Sequence, residues 1–65
     1  MTRTTNQMLN DKITYTNNTL STNIECRNHS GYEHLTLRGE NIFKGTKSEC
    51  INFLNGLVQF QLLNE

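Results

Sequence analysis

The sequence predicts an α+β domain of order α-β-β-β-α, in which a three-stranded antiparallel meander is packed by a C-terminal helix and joined by an N-terminal one. Three observations predict it. Thr46 and Glu49 have the T-x-x-E spacing of a capping box, in which each side chain satisfies an orphan backbone N–H of the other at a helix start. Cys50, Phe53, Leu54, Leu57 and Val58 follow at helical spacing. Upstream, residues 23–27 and 32–38 alternate apolar and polar positions with turn-forming residues between them, as strands of a hairpin do.

The N-terminal helix is expected over about residues 4–20, with Leu9, Ile13, Thr16 and Leu20 as a sparse stripe, Met8 extending it and Thr4 or Thr5 as cap. So thin a seam does not hold a short helix in water, so this helix must dock or fray. The meander is expected over about 22–44. In its first strand Ile24 and Cys26 share one face, and Glu25 and Arg27 the other. Asn28-His29-Ser30-Gly31 has turn composition. In the second strand Leu35 and Leu37 face the core, while Tyr32, His34, Thr36 and Arg38 join Glu25 and Arg27 on the opposite face. Arg38-Gly39-Glu40-Asn41 suggests a two-residue hairpin with Gly first, the type II′ pattern. A third strand runs from Asn41 to Lys44, and Gly45 ends it.

The C-terminal helix is expected over about 46–60. Asn55-Gly56 resembles a helix stop, and Val58, Phe60 and Leu62 alternate as a fourth strand would. Leu57 and Val58 nevertheless continue the helical stripe, and a mid-helix Gly costs only about 1 kcal/mol, which favours a helix running through Gly56 to about Gln59 or Phe60.

Sixty-five residues allow one domain with a thin stability margin. Hydrophobic content is 34%, with neither Trp nor Ala. So lean a core favours help from a second copy or a larger partner, and the tail residues Phe60, Leu62 and Leu63 are the candidates for a homodimer seam, with packing back on their own sheet as the alternative. Six basic and six acidic residues balance. Their scatter in sequence leaves no Lys/Arg cluster for nucleic acid and no acidic excess that would imitate one. No run approaches the roughly 20 apolar residues of a membrane span. The N-terminal residues lack the apolar core of a signal peptide, so the expected location is the cytoplasm.

Cys26 and Cys50 read first as small buried hydrophobes, with a disulfide or a reactive thiol as alternatives. Cys26, His29, His34 and Cys50 form a ligand set that zinc accepts, but the spacing is poor and His34 points away from the Cys26 face, so no metal or other cofactor is expected. Ser and Thr are plentiful, yet no base and orienting acid stand at catalytic spacing and no Gly-rich phosphate loop is present. An enzyme is not expected. Arg27, Tyr32, His34 and Arg38 are of residue types enriched at interfaces, which makes the outward sheet face the candidate partner-binding surface; an ordinary solvated face, or one covered by the N-terminal helix, is the alternative.

Ten Asn and nine Thr with no Ala or Pro suit an AT-rich coding sequence. The segment Gly-Thr-Lys-x-Glu-Cys-x-x-Phe-Leu-x-Gly at residues 45–56, after a Thr/Asn-rich helix and a meander, resembles small proteins of phages and prophages of low-GC bacteria. That class includes anti-CRISPR and other anti-defence inhibitors. The resemblance implies an accessory protein that binds a host or phage protein and inhibits a defence or replication factor. A small nucleic-acid-binding regulator and a stabilising subunit of a larger assembly are the alternatives.

Overall fold

The computed structural model describes residues 4–63. The elements are α1 (Thr5–Leu20), β1 (Ile24–His29), β2 (Tyr32–Leu37), β3 (Glu40–Gly45) and α2 (Lys47–Leu63), the expected α-β-β-β-α order. The strands form one antiparallel sheet in the order β1-β2-β3.

Both helices open on a capping box. At α2, the Glu49 backbone N–H donates to Thr46 Oγ1 (3.2 Å) and the Thr46 N–H donates to Glu49 Oε1 (2.9 Å). At α1, Thr4 and Gln7 make the same reciprocal pair, a T-x-x-Q signal that also stands in the sequence. α2 runs unbroken through Gly56 and ends three residues beyond Phe60. The Gly56 Cβ position is open space, so that glycine costs propensity without creating a break. Gly45, by contrast, is buried at the β3–α2 junction, where a Cβ would stand 3.1 Å from Phe43 Cε2 and from Glu49 Oε1.

Both hairpins turn on two residues with positive φ: Ser30 (55°) with Gly31 (83°), and Arg38 (55°) with Gly39 (81°). Two left-handed residues make a type I′ turn at Arg38-Gly39, one residue earlier than the II′ turn expected at Gly39-Glu40. This changes the place of Arg38, which leaves the strand and occupies the turn. β3 carries an irregularity: the register shifts between Leu35 and Thr36, with Phe43 opposite Leu35, Asn41 opposite Thr36 and Ile42 as the extra residue.

α1 and α2 lie side by side on one face of the sheet. Leu9 from α1, Ile24 and Leu35 from the sheet, and Cys50 and Leu54 from α2 are all buried and form the central cluster. Ile13, Cys26, Leu37, Ile42, Phe43, Phe53 and Leu57 pack around it. The Phe43 and Phe53 rings stack 4.6 Å apart. The sparse α1 stripe faces the core at Leu9, Ile13 and Thr16, but Met8, expected to extend it, is 47% exposed. Thr16 Oγ1 is a buried hydroxyl without a hydrogen-bond partner among the described residues. No helix of the described residues is long and apolar enough to cross a membrane.

Candidate functional site

Since the helices share one face, the other is left to solvent. Cross-strand pairing fixes its contents. Arg27 pairs with His34, and His34 with Lys44, so three cationic or protonatable groups form one row across the sheet. The neighbouring row toward the β1–β2 turn pairs His29 with Tyr32. On the other side of the basic row, Glu25, Thr36 and Asn41 face one another. Lys44 Nζ lies 5.6 Å from the Tyr32 ring centroid, within cation–π range. The His29 and His34 rings meet edge to face with centroids 5.8 Å apart. Tyr32 is 48% exposed. Among the described residues Arg27 holds a long 4.0 Å ion pair to Glu25, with its side chain 79% exposed. Such a pair gives little stability and leaves the guanidinium available.

Of the four residues expected on this face, Arg27, Tyr32 and His34 are brought together. Arg38 is not. It sits in the β2–β3 turn, the opposite end of β2 from Tyr32, where it lines a depression with Thr22, Leu37 and Glu40. Its place in the patch is taken by Lys44. Sequence alternation missed Lys44 because its alignment with His34 depends on the extra residue at Ile42. Phe60 in α2 is 61% exposed, while the side chains of Leu62 and Leu63 lie outside the described residues.

The inner face holds a second polar cluster, which the sequence reading also passed over. Glu33 is two positions from Leu35 and so points under α2, buried to 6%. Its Oε1 accepts from Lys47 Nζ at 2.6 Å and from Asn28 Nδ2 at 3.1 Å. Its Oε2 accepts from Cys26 Sγ at 3.3 Å. The Lys47 ammonium and the Asn28 amide hold the Glu33 carboxyl below the usual carboxylate range, against the opposing effect of burial. Burial, followed by the hydrogen bond to and the charge of Glu33, pushes the Cys26 thiol up to about 12. Burial likewise raises the Cys50 thiol, whose Sγ lies 3.8 Å from the Glu33 carbonyl oxygen. Both cysteines are free, and at neutral pH both are thiols rather than nucleophilic thiolates. The cluster therefore ties β1, β2 and the start of α2 together and has no activated nucleophile.

The conceivable zinc set is not assembled, since Cys26 pairs with Leu35 on the inner face and His34 with Arg27 on the outer. Among the described residues no group of three or more His, Cys, Asp or Glu is arranged to hold a metal ion. No protein-family model, curated protein or solved structure matches the chain. The functional reading therefore rests on the geometry of the sheet.

Proposed function

We propose that this chain is a small binding protein that docks on another protein through the outer face of its sheet. The observation that supports it most is the row Arg27–His34–Lys44 beside Tyr32 on a face that neither helix covers. Tyr and Arg side chains anchor interfaces: Tyr buries a large rigid ring with few rotatable bonds and keeps a polar end, and Arg brings a planar guanidinium with five donors. The partner is read as a host or phage protein and the outcome as inhibition on the resemblance of residues 45–56 to phage and prophage proteins. A bacterial cytoplasm agrees with two free cysteines in so small a domain. Self-association through the end of α2, where Phe60 is exposed, is a further part of this proposal; light scattering that finds a monomer at high concentration removes it.

The test is a pull-down from host lysate with the wild type and an Arg27→Glu, Tyr32→Ala double variant, both checked for an unchanged far-ultraviolet circular dichroism spectrum. The expected result is a specific protein recovered by the wild type and lost by the variant. A folded variant that recovers the same protein equally well overturns the outer face as the interface. The same row beside an aromatic ring also suits single-stranded nucleic acid, where bases stack on the ring and phosphates meet the cations. Affinity for an oligonucleotide that falls steeply with salt would select that reading instead.

A further inference from the structure

The outer strands of a sheet present backbone groups that no neighbour takes, and proteins usually defend them. The two edges here are defended unequally. β3 carries the extra residue Ile42, which interrupts a regular ladder, and an exposed lysine, Lys44. Both devices discourage another strand. β1 has neither.

In a hairpin with a two-residue turn, the pair beside the turn exchanges both backbone bonds, and the exchange recurs at every second pair. These pairs are His29–Tyr32, Arg27–His34 and Glu25–Thr36. The N–H and C=O groups of Ile24, Cys26 and Asn28 therefore point away from β2. The fold already fills the first of these positions. The Ile24 N–H donates to Asn17 Oδ1 at 2.8 Å, and Asn17 Nδ2 donates to the Ile24 carbonyl oxygen at 3.1 Å. The Thr22 hydroxyl fixes the same carboxamide at 3.0 Å. The Asn17 side chain thus acts as a single peptide unit of an absent strand. Beyond it, the outward backbone groups of Cys26 and Asn28 have no equivalent clip among the described residues, and Arg27, Asn28 and His29 are all exposed.

We propose that the β1 edge from Cys26 to His29 takes an extended acidic segment of a partner protein as a fourth strand. This rests on the reading that the outer face binds a protein, and adds where the partner's backbone runs and what charge it carries. Main-chain bonds to an edge supply affinity and alternate side chains supply specificity. Side chains of the added strand that point to the outer face neighbour Arg27 and His29, with His34 and Lys44 beyond them in the basic row. The acid of this face, Glu25, lies toward the clipped end. Asn17 limits the docked strand by occupying Ile24. A second copy fits the edge worse: antiparallel pairing in which Cys26 and Asn28 exchange bonds sets the two copies' Arg27 side chains directly opposite, and like charges there are unfavourable.

The test is nuclear magnetic resonance of the ¹⁵N-labelled chain titrated with acetyl-Glu-Val-Glu-Val-Glu-amide. The controls are the Lys-for-Glu peptide and the same acidic peptide with every backbone amide N-methylated. The expected result is that exchange of the Cys26 and Asn28 amides slows at least fivefold with the acidic peptide and is unchanged with the methylated one. The Lys peptide, or an Arg27→Glu variant with the acidic peptide, binds at least tenfold more weakly. If the acidic peptide shifts Tyr32, His34 and Lys44 while Cys26 and Asn28 exchange as before, the edge inference falls and the face reading stands. If nothing moves at millimolar peptide, both fall. Protection of Cys26 and Asn28 that grows with protein concentration without peptide replaces the partner segment by a second copy and overturns the proposal.

Discussion

Glu33 and His34 are adjacent in β2, yet their surroundings differ in every respect that decides what a polar side chain does. Glu33 points under α2 and is held by Lys47, Asn28 and Cys26, three groups from two other elements. His34 points the other way, between Arg27 and Lys44, where long or loose contacts leave the charges open to solvent. Polar groups on the inner face are fixed by their neighbours and serve to lock the strands to the helix start. Polar groups on the outer face are aligned by the ladder but not consumed by it. Substitutions on the two faces should therefore separate stability from binding.

The largest effect is expected from the apolar side of the inner face. Leu35 is fully buried at the centre of the cluster, and Leu35→Ala should cost about 2–5 kcal/mol. A domain of 65 residues holds about 3–10 kcal/mol in all, so urea denaturation should find the midpoint of this variant far below that of the wild type. Next comes Glu33→Ala, expected to cost about 1–2 kcal/mol, since it removes a charged acceptor from three donors while the Lys47 side chain keeps access to water. Because the folded Glu33 carboxyl titrates below its ordinary range, the unfolded chain takes up this proton first as pH falls. Its contribution is complete above the ordinary carboxylate range and is lost as pH drops through that range toward the depressed folded value. Melting temperatures measured from neutral pH into acid should fall less for Glu33→Gln than for the wild type. The same substitution should speed labelling of Cys26 by a thiol reagent, because the carboxylate no longer disfavours the thiolate.

Thr46→Ala removes the cap at the end of this inner cluster and should cost about 1 kcal/mol by chemical denaturation. The smallest stability effects belong to the outer face. Arg27→Ala and His34→Ala should each stay within about 0.5 kcal/mol of the wild type, while partner binding by the same proteins is lost. A large destabilisation by Arg27→Ala would break the contrast between the faces. Retained binding would leave the contrast intact but move the interface.

The fold was largely legible because its signals are local. The Thr46–Glu49 box, the alternation of Ile24 with Cys26 and of Leu35 with Leu37, and the α1 stripe each depend on a few neighbouring residues. The turn was misread by one residue: a central Gly serves a II′ turn as its first residue and a I′ turn as its second, and the choice between the two placements is whether Arg38 itself accepts a positive φ. Three of the four residues of the candidate patch could be read. Parity placed Arg27, Tyr32 and His34 on one face, but Lys44 joins them only through the extra residue at Ile42, which no pattern in the chain announces. Glu33 was readable and overlooked: the parity that buries Leu35 also buries a carboxylate two residues before it, and its partner Lys47 stands one residue after the cap.

The pairing of Leu9 with Cys50 and Leu54 has a consequence in time. α1 is made first, but the surface it needs is completed only when Leu54 is joined, about 45 positions later. At about 5–20 residues per second that is a wait of roughly 2–9 s, during which α1 is a short isolated helix and marginal in water. The β-meander, whose strand pairings are all between sequence neighbours, has its partners at hand within that interval. The meander can thus pair from neighbouring segments alone, whereas the cover of its inner face, over Ile24 and Leu35, waits for α2.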